Sequence, residues 1–157
     1  MIYIFYAVIS VFLSVAVHEC AHIFAAKLLG EKVKKIQWHW PTPPLIRLHF
    51  EHEPDLNKTV SKKWAVIAAA GYVTTNVIGY CLFFVYHLAQ NIFLRRFFGM
   101  AAGIFLLIDR LYFVEGSIRN FGDIVVIRKA LHMPKWVSVL LSALVMFLDI
   151  FIIEIAF

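Results

Sequence analysis

Two histidines four residues apart with a glutamate after the first, His18, Glu19 and His22 of the stretch His18-Glu19-Cys20-Ala21-His22, are the residues of this chain best suited to chemistry. On a helix, positions i and i+4 lie one above the other on a single face. Both imidazoles can therefore reach one metal ion, and Glu19 falls beside a water on that ion. The chemistry this spacing suits is hydrolysis by a Zn²⁺-activated water with Glu19 as general base. A catalytic zinc commonly takes three protein ligands and leaves one position open, so a further His, Asp or Glu has to come from elsewhere. Location sharpens the reading, because the surrounding residues 1–29 are almost wholly apolar. A charge at the centre of a membrane costs about 2.5–3.5 kcal/mol on insertion scales, so a glutamate flanked by histidines there points to function.

The elements that must position these residues follow from composition. Of 157 residues, 62% are hydrophobic and the mean hydropathy is +0.79, whereas soluble domains are about 45–50% apolar. Bilayer is the expected solvent. Four segments are long enough to cross it at about 20 residues per helix: 1–29, 64–94, 97–114 with Asp109 and Arg110 inside it, and 136–157 with Asp149 and Glu154. The expected fold class is an all-α membrane protein of about four transmembrane helices, one domain over 1–157. A short membrane-surface β-hairpin is expected between the first two helices, in the strand-rich loop 33–53. Residues 35–40 and 46–51 there alternate polar and apolar, the period of half-buried strands, with Pro41-Thr42-Pro43-Pro44 as a rigid bend between them. Trp38 and Trp40 suit the membrane interface. Gly71, Thr75 and Gly79 set small side chains on one face of the second span, where a neighbouring helix can approach closely. A turn is expected over 115–122 and a helix over 123–132, ending before Pro134.

The charge pattern orients the chain. Lys32, Lys34, Lys35, Arg47, Lys58, Lys62 and Lys63 lie between spans one and two, and Arg119, Arg128, Lys129 and Lys135 between three and four; the loop between spans two and three holds Arg95 and Arg96. Short loops rich in Lys and Arg stay cytoplasmic, which puts both termini outside and the first and third loops in the cytosol. The net charge of +5 is thus a topology signal and a contact for anionic lipid, and nucleic acid is not an expected partner. The N-terminus lacks the basic start of a cleaved signal, so the first helix is expected to stay, in a prokaryotic plasma membrane. Cys20 and Cys81, each within an apolar span, read as buried free thiols. The cytoplasmic third loop can reach the motif, which lies towards the cytoplasmic end of its helix. Asp123 is the first candidate for third ligand, Asp109 the second, by ligation or by pairing with Arg110, and Glu115 the third. His39, His49 and His52 read as solvated, His87 and His132 carry no signal, and Asp149 and Glu154 are assigned no place in the site.

The motif at this depth resembles the site-2 protease family of intramembrane metalloproteases, in particular its small zincin-type members. His18-Glu19-Cys20-Ala21-His22 stands as the family's His-Glu-x-x-His. Ala68-Ala69-Ala70-Gly71 with Asn76 is similar to the start of its second core helix, and Gly122-Asp123 to its Asp-Gly ligand motif. The family's asparagine falls four residues after glycine, where this chain has Thr75, and the proline that precedes the family's third motif has no counterpart. The resemblance implies zinc held by His18, His22 and Asp123, Glu19 as catalytic base, and cleavage of a transmembrane or membrane-associated protein substrate received as an extended strand by the loop after the motif helix. The rival readings of the same residues are a non-catalytic zinc-binding membrane regulator and a metal transporter.

Overall fold

The structure, a computed structural model, describes residues 2–38 and 46–156. The chain runs α1 (Ile2–Leu28), β1 (Val33–Trp38), β2 (Ile46–Phe50), α2 (Lys62–Leu88), α3 (Ile92–Arg119), α4 (Asp123–Ala130) and α5 (Lys135–Ala156). Among the described residues four helices are long and apolar enough to cross a membrane, α1, α2, α3 and the stretch Lys135–Ile152 of α5. The fold class is the one expected, an array of four such helices with a small hairpin between the first two.

Several helix boundaries differ from expectation. The apolar run 64–94 is divided, because α2 stops at Leu88 and α3 starts at Ile92. Asn91 makes the break: its side-chain oxygen accepts from the backbone N–H of Phe93 at 2.9 Å and Leu94 at 3.3 Å, an N-cap. Hydropathy cannot register such a cap. At its other end α3 continues past Val114 through the positions expected as a turn and stops only at Asn120, which adopts the left-handed conformation with φ 64°. Helix α4 ends at Ala130, two residues early, where His132 turns the chain with φ 53°.

The hairpin is antiparallel, pairing Lys35 with His49, Ile36 with Leu48, Gln37 with Arg47 and Trp38 with Ile46. Its first strand starts at Val33, ahead of the expected 35. The bend at 41–44, with His39 and Trp40, lies outside the described residues. Glu31 ties the hairpin to the helices: it accepts from Lys63 at 2.5 Å and lies 3.3 Å from His52. The Lys63 ammonium, with a smaller effect from His52, holds the Glu31 carboxyl below the usual carboxylate range.

Polarity is distributed as a bilayer requires. Ser10, Ser14, Thr75, Asn76, Asp109, Arg110 and Asp149 are buried between helices, while Ile4, Phe24, Phe84 and Phe147 point outward. Cys20 and Cys81 are free but exposed on that outer surface, so their expected burial inside the protein is corrected. The small face of α2 packs as expected: a Cβ on Gly79 would lie 2.8 Å from Leu106 Cδ2. Helix α4 is held beneath by an apolar cluster of Ala26, Val60, Trp64, Ala65, Ile67 and Ala130.

One buried layer anchors α5. Arg110 Nε donates to Asp149, its Nη2 donates to Asn76 Oδ1 at 2.5 Å, and Tyr80 donates to Asp149 Oδ1 at 2.5 Å. The guanidinium also lies 4.4 Å from the centre of the Tyr72 ring. Arg110 therefore pairs with Asp149, and the alternative pairing with its neighbour Asp109 is not the one formed. Removing one partner of a buried pair leaves a bare charge and costs about 3–5 kcal/mol. Arg110→Met is expected to lower the thermal unfolding midpoint in detergent, followed by circular dichroism, and Arg110→Met with Asp149→Leu to recover most of the loss. A double variant as unstable as the single one would contradict this layer.

Candidate metal centre

Helix α1 presents His18 and His22 on its inward face, one turn apart, with ring centroids 4.6 Å from each other. Across from them α2 presents Gly71. A Cβ there would stand 2.6 Å from His22 Nε2 and 2.7 Å from His18 Nε2, so only a residue without a side chain lets the helix backbone approach both rings. The third donor arrives from the first residue of α4. Gly122, with φ 73°, takes the backbone into a region that L side chains rarely adopt and delivers Asp123 beneath the rings. Asp123 Oδ2 lies 3.2 Å from His18 Nε2 and 3.2 Å from His22 Nε2. Donor atoms of all three residues fall within 4.8 Å of one another.

The donor set fits a metal ion. Four-coordinate geometry with bonds of about 2.0–2.1 Å sets ligand atoms about 3.3 Å apart, close to the two separations of 3.2 Å. The other edges of the rings decide what faces inward. His22 Nδ1 is 2.7 Å from the carbonyl oxygen of Ile67, which can only accept, so Nδ1 carries the proton. His18 Nδ1 lies 3.2 Å from Asp109 Oδ2. In neutral rings both Nε2 atoms then offer lone pairs to a carboxylate oxygen, and three lone pairs converge on one point. Burial by itself raises the Asp123 carboxyl, yet positive charge at His22 and His18 outweighs it and holds the group below its ordinary range.

A cavity of about 570 Å³ opens beside these atoms. Glu19 lines it with His18, His22 and Asp123, and its other walls are mostly apolar: Val15, Leu48, Phe50, Trp64, Ile67 and Phe121 contribute, with Arg47, Glu53, Asp109 and Tyr112 as polar members. Strand β2 forms one wall through Ile46, Arg47, Leu48 and Phe50.

The structure brings together His18, Glu19, His22 and Asp123. Asp109 lies against the far edge of the His18 ring, and Glu115 is away from the site, half-exposed and 3.3 Å from Arg119. Asn76 belongs to the Arg110 layer and also donates to the Tyr72 carbonyl at 2.6 Å. His49 bonds Glu53 and Gln37 at the surface. Three contributors were not read as such in the sequence: Gly71 as the contact of both rings, the Thr75 hydroxyl as a partner of Asp109, and Tyr112. The spacing of three between Asp109 and Tyr112 puts them on one helix face and was the available signal for the last.

Comparison with protein-family models, with curated proteins and with solved structures returns no match. The functional reading therefore rests on the site itself.

The fit at Gly71 is testable without any substrate. Gly71→Ala is expected to weaken divalent metal binding by the purified protein by about tenfold or more, in the range of changes to groups that orient ligands, with helix content unchanged. Gly79→Ala, which packs against Leu106 instead, should bind as the native chain does. Undiminished binding by Gly71→Ala would contradict the close approach of α2 to the imidazoles.

Proposed function

We propose that this chain is an intramembrane zinc metalloprotease of the site-2 protease type, with zinc held by His18, His22 and Asp123. The observation that carries the reading is the convergence of three lone-pair donors beside Glu19, in an apolar cavity walled by a β-strand. Two imidazoles and a carboxylate suit zinc, and among the described residues the group holds three donors, the number of a catalytic site with one open position. A structural zinc site closes with a fourth protein ligand, so the set favours an enzyme over a non-catalytic regulator.

When bound, zinc supplies a water of lowered pKa and polarisation of the scissile carbonyl. Glu19, one residue from His18 and on the wall of the same cavity, would accept the proton of the attacking water. The same carboxyl then passes the proton to the departing amine, so Glu19 serves as base and afterwards as acid. The residues around it exclude bulk water and receive apolar side chains next to the scissile bond. A helical membrane segment keeps its carbonyls engaged and must unwind before one can be attacked. Among the described residues strand β2 pairs with β1 alone, and its other edge can take up the unwound segment as an added strand. The site lies at the end of α1 that leads into the Lys-rich hairpin loop, which supports a cytoplasmic-side location.

Purified wild type and Glu19→Gln, each co-expressed with single-span membrane proteins, test this. Glu19→Gln is expected to keep its zinc and to lose cleavage by about 10²–10⁴-fold, the usual contribution of a positioned general base. Equal processing by the two proteins removes Glu19 from the chemistry.

A further inference from the structure

We propose that Asp109 is a positioning residue of the metal centre: its carboxylate fixes the tautomer and rotation of His18 and is itself held by the Thr75 hydroxyl. The inference rests on the zinc reading above and assigns a role to a carboxylate that the reading does not use.

The geometry separates Asp109 from the ligands. Its Oδ2 lies 3.2 Å from His18 Nδ1, while the ligand Asp123 lies 3.2 Å from Nε2 on the opposite edge of the same ring. A carboxylate oxygen facing Nδ1 accepts its N–H, which leaves Nε2 to present its lone pair to the metal position. Asp109 is buried in the helix array and needs partners there. The second is Thr75, whose Oγ1 donates to the same oxygen. The hydroxyl has one proton and two further acceptors in reach, the carbonyls of Gly71 at 2.9 Å and Tyr72 at 3.1 Å. The charged acceptor makes the stronger bond.

The two histidines are thus treated differently. His22 is oriented by a backbone carbonyl, which no substitution removes, and His18 by a side chain whose place depends on how α3 is turned. Consecutive residues fix that turn. Thr75 and Asn76 on α2 face Asp109 and Arg110 on α3, so the metal-side contact lies next to the layer in which Arg110 is bound to Asp149 and Asn76. Any rotation of α3 that moved Asp109 off His18 would also break the Arg110 bonds.

The test uses the purified full chain, with zinc affinity measured by chelator competition and coordination read from the visible spectrum of the Co²⁺-loaded protein. Asp109→Asn is expected to bind one zinc at saturation with affinity about 10–100-fold weaker and to keep the Co²⁺ band pattern of the wild type. Asp123→Ala should change that pattern, because a ligand is lost. Thr75→Val, close in shape and uncharged, should weaken zinc in the same direction by less, and it carries the test if Asp109→Asn does not fold. Wild-type zinc affinity in a folded Asp109→Asn or Thr75→Val overturns the proposal and leaves the metal centre standing. A changed Co²⁺ pattern in Asp109→Asn with an unchanged one in Asp123→Ala makes Asp109 the ligand and overturns it too. A wild-type chain that binds no zinc overturns both this and the reading beneath it.

Discussion

Within hydrocarbon an ionisable side chain is tolerated only where another protein group satisfies it, and the arrangement of this chain follows from that constraint. Asp109, Arg110 and Asp149 all lie in apolar helices, and all three are buried. Asp109 is satisfied by His18 and Thr75, Asp149 by Arg110 and Tyr80. These bonds set the rotation of α2, α3 and α5 about their axes. Hydrophobic packing alone would leave that rotation loosely specified, since the lipid-facing surfaces are apolar all round.

The same constraint builds the candidate site. Once α3 is fixed, His18 is turned so that Nε2 meets Asp123, and the small face of α2 lets Gly71 close over both rings. Helix α4 needs no buried charge of its own to stay in place, because Trp64, Ile67 and Ala130 pack it under α1 and α2. Its contribution is the first residue, Asp123, brought in by the left-handed turn at Gly122. Polar contacts decide orientation and apolar ones decide proximity.

Much of this was legible in the sequence, to the extent that it depended on periodicity. His18, Glu19 and His22 were evident from helical spacing, the hairpin from alternation, and the packing face of α2 from Gly71, Thr75 and Gly79. Asp123 stood out because it follows a glycine and opens a helix within reach of the motif. What stayed hidden depended on how helices turn against each other. Asp109 was open to two readings, as ligand or as partner of Arg110, and only the facing of α1 and α3 sets it against Nδ1 of His18. Asp149 was left without a partner because Arg110 lies on another helix, 39 positions away. The break before Ile92 comes from one side-chain cap within an apolar run, and the outward placement of Cys20 and Cys81 from the choice of lipid over protein as their surroundings.

The central claim is that His18, His22 and Asp123 hold one zinc with a position left open. X-ray absorption at the zinc edge of the purified chain tests it most directly. The account predicts one zinc per chain, bound by two imidazoles and light oxygen donors at about 2.0–2.2 Å with no sulfur shell. Zinc bound through sulfur at about 2.3 Å, or a chain that retains no zinc when His18 and His22 are intact, would contradict it.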